Sequence, residues 1–336
     1  MPRPIDEFLA AWQALSGCGV EAGGWLGIPV TPAGPCRLMA ARRFPGNEEA
    51  LLAGFQDVSL APSERLPEGK GFEVVRADPY GDGKTWIALT RKESGNPELF
   101  AEMVSDVAGA MDAVVRESEA SIMETLLRRI RMWQQFMSRG SSSLSPEAEL
   151  GLVGELNFMA ALLDSGISID EVLRGWVGPD DAPHDFLIGD GAIEVKATMS
   201  SSGFLVKIGS LEQLDDSLAS PLFLAACRFS RESGGQTLPE LVAEMERRVT
   251  QEPGAVDFLR ERLFAAGYAE THARLYTRRF EPRESRILSV SDGFPRLTPG
   301  LVPAGITRTL YELNLDHAGE FITDLGSTLK ALGASG

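Results

Sequence analysis

The spacing of apolar residues divides the first 140 positions into a β-rich part and a helical part. Up to about residue 95, short apolar runs such as "FEVVRA" and "TWIALT" lie between turn signals rich in Gly, Pro and Asp, which is typical of strands. From Pro97 to Arg139, apolar residues recur at intervals of three and four, the period of amphipathic helices. We therefore predict a β-rich unit over 1–95 and a helical connector over 96–140.

A small-polar segment, "GSSSLS" at 140–145, separates this stretch from a new helix. Ser145 is a favourable N-cap and Pro146 suits the first helical position, so the helix is predicted to run from there to about Leu163. Three strands follow at "HDFLI", "AIEVKA" and "GFLVKI", then a short helical segment at "SLEQLDD" and a buried strand at "PLFLAACRF". This order predicts an α/β core over 141–230.

The periodic pattern of apolar and polar residues is weaker beyond residue 230. Helices are predicted at "LPELVAEMERRV" and "GAVDFLRERLFAAG", strands at "ARLYTRRF", "RILSVSD" and "ITRTLYELNL", and a terminal helix at "AGEFITDLGSTLKAL". We expect residues 231–336 to complete or flank the core as an α/β region.

Composition narrows the classes of protein to consider. No apolar run approaches membrane-spanning length, and acidic residues interrupt the N-terminal segment where a signal peptide would be apolar. Three scattered cysteines without a C-x-x-C pair are typical of a reducing compartment and disfavour both a disulfide framework and a structural zinc site. We therefore expect a cytoplasmic protein that does not contact a membrane.

The charge is strongly acidic overall but locally mixed. A net charge of −16 and a pI near 4.7 disfavour broad nonspecific binding to nucleic acid, because phosphate contacts need clustered Lys and Arg. Arginines nevertheless gather in two stretches, and solvated surfaces are the simplest interpretation of both. These arginines are Arg128, Arg129, Arg131 and Arg139 in the first stretch, and Arg274, Arg278, Arg279, Arg283 and Arg286 in the second.

The segment "PHDFLIGDGAIEVK" at 183–196 predicts two short strands around a glycine-rich turn, and an aspartate, a glutamate and a lysine (Asp185, Glu194 and Lys196) lie in those strands. Because side chains alternate along a strand, Glu194 and Lys196 share one face. If the turn has two residues, Asp185 falls opposite Glu194. If it has three, the register slips by one and a bulge is needed to bring Asp185 across.

Facing carboxylates repel each other and raise each other's pKa unless a cation lies between them. Asp185 and Glu194, with Lys196 two residues further on, suit a hard divalent ion held by oxygen ligands. The lysine is then placed to meet an anionic substrate or an activated water. The alternative is an ion pair between Glu194 and Lys196 on a solvated face of the sheet.

Glu155 is the third acid of interest, because it interrupts the apolar stripe of its helix. The residues three and four positions away are Gly151, Leu152, Phe158 and Met159. Gly151 and Gly154 would permit close approach of another element, and a carboxylate in such a stripe needs a partner. A metal ion or a lysine at the sheet is one candidate partner, and a helix cap or an arginine is the other.

Together, Glu155, Asp185 and the run Glu194-Val195-Lys196 resemble the signature of the PD-(D/E)XK nuclease superfamily, the fold of many restriction endonucleases. More closely, "GLVGEL", "PHDFLIGDGAIEVKATMS", "SLEQLDD" and "GFPRLTP" resemble a bacterial family of PD-(D/E)XK motif proteins associated with phage defence or restriction. One departure is His184, which separates the proline and aspartate of the motif. The resemblance implies an α/β (α+β) fold, with a restriction-endonuclease-like core of a mixed sheet flanked by helices.

The resemblance also implies a mechanism, the metal-dependent cleavage of a DNA phosphodiester. Asp185 and Glu194 would bind Mg²⁺ or Mn²⁺ with the backbone carbonyl of Val195, and Glu155 would join them directly or through water. Lys196 would orient the attacking water or help to deprotonate it. The accessory residues implied beside these are Gln213 and His184.

We therefore expect a Mg²⁺-dependent DNA endonuclease of restriction or phage defence, with DNA and other proteins of such a system as partners. Cutting both strands would call for a homodimer. The alternative is a catalytically silent nuclease fold that binds DNA or protein in a defence complex, and the acidic charge favours it. The chain has no Walker A sequence, dinucleotide fingerprint or G-x-S-x-G elbow, so nucleotide-driven and serine-hydrolase functions are disfavoured.

Overall fold

The computed structural model describes most of the chain, in stretches that cover residues 4–18, 23–30, 34–61, 63–138, 143–180, 182–231 and 234–334. Arg139 and the first three residues of the predicted linker, 140–142, lie outside the described residues. The chain divides into two units, Met1–Ser141 and Ser142–Gly336. The separate roles that the sequence predicts for 1–95, 96–140, 141–230 and 231–336 stay predictions.

The first unit combines helices with an antiparallel sheet of order β1-β2-β3-β5-β4. Its described elements are α1 (Ile5–Ser16), β1 (Gly24–Pro29), β2 (Arg37–Phe44), β3 (Glu48–Phe55), β4 (Phe72–Ala77), β5 (Thr85–Arg91), α2 (Pro97–Ala113) and α3 (Glu119–Ser138). Strands β4 and β5 correspond to the predicted "FEVVRA" and "TWIALT". Helix α1 has no counterpart among the sequence predictions. It is tied to the sheet through Trp12, whose indole Nε1 donates to the carbonyl of Ala50 at 3.0 Å.

The second unit contains Glu155 and the charged segment 183–196. Its described helices are α4 (Pro146–Asp164), α5 (Ile169–Gly175), α6 (Leu238–Val249), α7 (Ala255–Ala265) and α8 (Leu325–Ala331). Its described strands are β6 (Phe186–Ile188), β7 (Gly191–Thr198), β8 (Leu205–Ile208), β9 (Leu222–Ser230), β10 (Glu281–Ser289), β11 (Tyr311–Asn314) and β12 (Ile322–Thr323). Among the described helices, none is both long enough and apolar enough to cross a membrane.

The central sheet of this unit is mixed. Its order is β12-β10-β9-β7-β6, with β7 and β9 parallel and the other neighbours antiparallel. Side chains of α4, α5, α6 and α7 form one core with one face of the sheet, while β8 and β11 pack against the other face. A mixed sheet flanked by helices confirms the predicted fold class.

Helix α4 begins as predicted and lies close to the sheet. The Ser145 hydroxyl accepts a hydrogen bond from the amide of Ala148 at 3.2 Å, and Pro146 occupies the first turn. A Cβ added at Gly154 would lie 2.7 Å from the Cβ of Ala197 on β7, so this glycine permits the close approach. Gly151 faces open space instead, so the prediction of close approach is wrong for this second glycine.

The two glycines of α4 give a matched pair of alanine variants. Gly154→Ala should lower the free energy of unfolding by roughly 1–3 kcal/mol, because the new methyl group overlaps Ala197. Gly151→Ala should raise it by about 0.5–1 kcal/mol, because alanine restricts the unfolded chain and nothing in the folded chain opposes it. Urea unfolding of both variants measures the difference. Equal changes in the two variants would contradict the packing described for Gly154.

Three local predictions in the second unit are wrong. The segment "SLEQLDD" consists of bends and turns, because its side chains bond to nearby backbone and compete with a helix. Gln213 Oε1 accepts from the amide of Gly209 at 2.8 Å, and Asp215 Oδ1 accepts from the amide of Ser217 at 3.1 Å. "ARLYTRRF" contains the end of a 3₁₀ turn followed by irregular chain, and the terminal helix begins only after β12.

Candidate active site

A tight hairpin sets the register of the charged segment. The β6–β7 pairing joins Ile188 to Gly191 and Phe186 to Ile193, which leaves a loop of only two residues. Continuing this register by one position places Asp185 opposite Glu194, so the first of the two predicted registers is confirmed. Gly189 has a φ of +55°, a value that favours glycine in the first position of such a loop.

Asp185 stands at the start of β6 and is bound to the neighbouring strand. Its Oδ2 accepts a hydrogen bond from the amide of Val195 at 2.7 Å. Because the N–H and C=O of one strand residue point to the same side, the Val195 carbonyl faces the side on which Asp185 lies. The backbone carbonyl of Asp185 accepts from the amides of Val177 and Gly178 at 2.8 and 3.0 Å, which fixes the preceding loop beside it.

Glu194 and Lys196 form a buried ion pair on one face of β7. Lys196 Nζ lies 2.5 Å from Glu194 Oε1, and the side chains are 15% and 1% exposed, respectively. In the parallel register with β9, their neighbours are the apolar Leu224 and Ala226. The alternative prediction of an ion pair on a solvated face is therefore wrong.

Glu155 reaches the same region from α4. Its Oε2 accepts a hydrogen bond from the indole Nε1 of the fully buried Trp176 at 2.7 Å. A Cβ added at Gly178 would lie 2.8 Å from Asp185 Oδ1 and 3.4 Å from Glu155 Oε2. The carboxylates of Glu155 and Asp185 therefore border one space, which is open because residue 178 has no side chain.

The charges in this carboxylate–lysine cluster (Glu155, Asp185, Glu194 and Lys196) are unbalanced. Burial and then the neighbouring Asp185 raise the pKa of Glu155 to about 8. Burial also raises the pKa of Asp185, and it raises that of Glu194 well above its usual range. Burial alone would lower the pKa of Lys196, but the carboxylates of Glu194 and Asp185 raise it. Three carboxyl groups thus share one ammonium, and burial disfavours their ionised forms unless another cation joins them.

The donor set fits a divalent metal ion. One oxygen of each carboxylate has a hydrogen-bond donor, from Trp176, Val195 or Lys196, and the other oxygen has none in the described part of the chain. Hard divalent cations prefer oxygen ligands of this kind, and binding one would displace protons from these groups. Among the described residues, however, no three His, Cys, Asp or Glu side chains already stand around a metal position.

Of the two accessory residues, His184 directly precedes Asp185, and Gln213 lies in the turns that follow β8. Gln213 bonds to the backbone of Gly209, as given above, and His184 is buried with its Nε2 unpartnered among the described residues. Burial lowers the pKa of His184 against the opposing charge of Asp215. In the described part of the chain neither side chain is hydrogen-bonded to the carboxylate–lysine cluster, so an accessory role for them stays a prediction.

Two residues of the site were not predicted from the sequence, namely Trp176 and Gly178. Both lie in "RGWVGPDD", just before the charged segment, and Arg262 of α7 holds this loop through Asp180 at 2.6 Å and through the Trp176 carbonyl. A buried indole needs a hydrogen-bond acceptor, and this is the signal that links Trp176 to a nearby acid.

Gly178 offers a test of the site that leaves every charged group in place. Gly178→Ala should weaken Mn²⁺ binding at least roughly tenfold, because the methyl group would occupy the space between the two carboxylates. Isothermal titration calorimetry measures the affinity. Gly319→Ala is the control, because a Cβ at that position meets nothing within 4 Å. Equal affinities for the two variants would show that metal does not enter this space.

Comparison with models of known protein families gives a match. A family model described as "Putative PD-(D/E)XK family member" (DUF4420) matches residues 8–316, a range that contains the whole carboxylate–lysine cluster. A search of curated proteins and a search of solved structures each find no match.

Proposed function

The chain belongs to this PD-(D/E)XK family, and from that premise we propose that it is a metal-dependent nuclease that hydrolyses phosphodiester bonds in DNA. One observation carries the proposal: buried carboxylates from α4, the start of β6 and β7 interact electrostatically with Lys196 at a hairpin of fixed register, and Lys196 pairs directly with Glu194. Folding alone does not account for such an excess of buried acid, because each unpaired charge is expensive to desolvate.

We assign the metal ligands from the same geometry. Asp185, Glu194 and the carbonyl of Val195 would hold Mg²⁺ or Mn²⁺, and Glu155 would join them directly or through water. When bound, the ion supplies positive charge to the phosphate oxygens and lowers the pKa of an attacking water. The Trp176 indole holds the Glu155 carboxylate in one orientation.

Lys196 and Glu155 have the following proposed roles. Lys196 stays protonated at neutral pH because its pKa is raised, so it acts as a cation and hydrogen-bond donor to the phosphate and the attacking water. Glu155, whose pKa burial and Asp185 raise to about 8 in the absence of metal, would lose its proton when the ion binds and would then join the ligands directly or through water.

We place this activity in the cytoplasm, in restriction or phage defence, with DNA and other proteins of such a system as partners. Cleavage of both strands would use a homodimer. A catalytically silent nuclease fold that binds DNA or protein is the second candidate. It is favoured by the net charge of −16 and by the lack of a preformed metal arrangement among the described residues.

Asp185→Asn tests the proposal directly. Wild-type protein should bind Mn²⁺ in calorimetry and cleave plasmid, linear duplex or single-stranded DNA, and the variant should lose at least roughly a hundredfold in cleavage. Asp190→Asn is the control, because this exposed aspartate belongs to the same hairpin. RNA substrates measured in parallel test the preference for DNA. Wild-type protein that neither binds metal nor cleaves any of these substrates would leave the silent fold as the function.

A further inference from the structure

A basic cavity of about 590 Å³ lies at the carboxyl ends of the parallel strands β7 and β9. Three arginines (Arg228, Arg231 and Arg283) and three serines (Ser200, Ser201 and Ser230) line it. We infer that this cavity binds backbone phosphates of the nucleic-acid strand whose scissile bond reaches Lys196. The inference rests on the proposed nuclease function and gives that function a substrate-binding surface.

The cavity lies close to the carboxylate–lysine cluster along the sheet. Arg228 is the register partner of Thr198, which follows Lys196 by two positions and therefore shares its face of β7. Two strand residues span roughly 7 Å. A single extended substrate strand can therefore reach both places. The carboxyl ends of parallel strands are also where open α/β sheets most often bind their ligands.

Arg228 is held in place but keeps one unused donor. Its guanidinium lies 4.6 Å from the centroid of the Phe204 ring, and its Nη2 lies 3.1 Å from a carboxylate oxygen of Glu284. Its Nε is buried and has no hydrogen-bond partner among the described residues. A buried donor without a partner is costly, and a phosphate oxygen would satisfy it.

The other cavity residues add further donors without adding negative charge. Arg283 Nε donates to the Ser230 hydroxyl at 2.7 Å, which fixes that arginine at the cavity wall. Arg231 is exposed, and none of the described lining residues is acidic. Positive charge with hydroxyl groups suits a phosphodiester, whose single negative charge is shared by two non-bridging oxygens.

Several arginines of the neighbouring basic stretch lie outside the cavity and are paired with carboxylates. Arg278 pairs with Glu149, and Arg279 pairs with Glu240 at 3.1 Å. Arg286 is bound by both Glu284 and Asp316. The basic stretch that the sequence shows at 274–286 is therefore largely an internal ion-pair network, and of its arginines only Arg283 lines the cavity.

The test is the binding of a short DNA duplex to the double variant Arg231→Gln/Arg283→Gln. Lys196→Ala is present in every protein so that the probe is not cut, and fluorescence anisotropy is recorded over a series of KCl concentrations. We expect affinity to fall roughly tenfold or more, and the slope of log affinity against log salt to decrease by about 2, one for each lost phosphate contact. Arg247→Gln/Arg274→Gln is the control, because it removes the same charge from two exposed arginines outside the cavity.

Each outcome decides between the proposals. Equal affinity and salt slope in the two double variants would overturn the cavity inference, even if the wild-type protein cleaves DNA. If DNA binding depends on Arg231 and Arg283 but the wild-type protein cleaves no DNA, the cavity inference would be supported and the proposed nuclease function overturned. Binding of inorganic phosphate that depends on Arg231 and Arg283, with duplex binding unchanged, would also overturn the inference, because the cavity would then hold a free anion.

Discussion

Replacing Lys196 by alanine should lower the rate of DNA cleavage by at least about a hundredfold, the range seen when one charge-stabilising donor is removed from an active site. Among the residues that the structure describes, Lys196 is the cation beside the three carboxyl groups, and its Nζ lies 2.5 Å from Glu194 Oε1. Without it, the phosphate would approach a buried acidic cluster with no compensating side-chain charge. Cleavage of a labelled duplex under single-turnover conditions gives the rate.

Loss of folding must be separated from loss of chemistry in this experiment. Lys196→Ala leaves Glu194 buried without its partner, and unfolding should become easier by roughly 1–3 kcal/mol. Lys196→Met keeps most of the side-chain volume and serves as a second variant, and Lys330→Ala removes an exposed lysine as control. Cleavage within about threefold of wild type in a folded Lys196→Met protein would remove Lys196 from the mechanism.

The stability of the metal-free protein should fall as pH rises from about 4.5 to about 8. Over this window the folded state holds the proton on Glu155 that the unfolded state has already released, because burial and Asp185 raise the pKa of Glu155 to about 8. We expect a decrease on the order of 2–4 kcal/mol in the free energy of unfolding, measured with urea in the presence of EDTA. Mg²⁺ should restore stability at pH 8 but not at pH 5, because it competes with protons for the same oxygens.

Glu155→Gln isolates this effect, because the amide oxygen still accepts from Trp176 while the titrating group is gone. The slope of stability against pH should flatten in this variant. His184 acts in the opposite direction, since burial lowers its pKa and favours the folded state at higher pH, so the comparison between the two proteins is the decisive quantity. An unchanged slope in Glu155→Gln would show that Glu155 does not hold a proton in the folded state.

The parts of the site that the sequence predicted are those fixed by short-range patterns. Alternation along β7 places Glu194 and Lys196 on one face, and the two-residue loop sets Asp185 opposite Glu194. For Glu155 the interrupted apolar stripe indicated only that a partner is needed, and the family resemblance favoured the cluster at the sheet, because the approach depends on how closely α4 packs there. Its true partner, Trp176, was missed because nothing local relates an indole to an acid 21 residues earlier.

The errors in predicting secondary structure also arise from contacts that a local pattern does not show. "SLEQLDD" has the composition of a helix, but the hydrogen bonds of Gln213 and Asp215 hold it in turns. The cavity arginines could not be separated from the other arginines by sequence, because a charge run does not reveal which of its members share one surface.

The last helix has a consequence for how far a functional fragment must extend. The amide of Asp190 in the hairpin loop donates to the carbonyl of Leu332 at 2.8 Å, and a Cβ on Gly189 would lie 2.0 Å from that same oxygen. Both contacts come from the end of α8, which lies beyond the range matched by the family model. A fragment trimmed to the matched residues would thus keep every proposed metal ligand. It would lose the hydrogen bond and the packing contact that hold the hairpin loop, and this loop sets the register of Asp185 and Glu194. A tag is better attached at the opposite end of the chain.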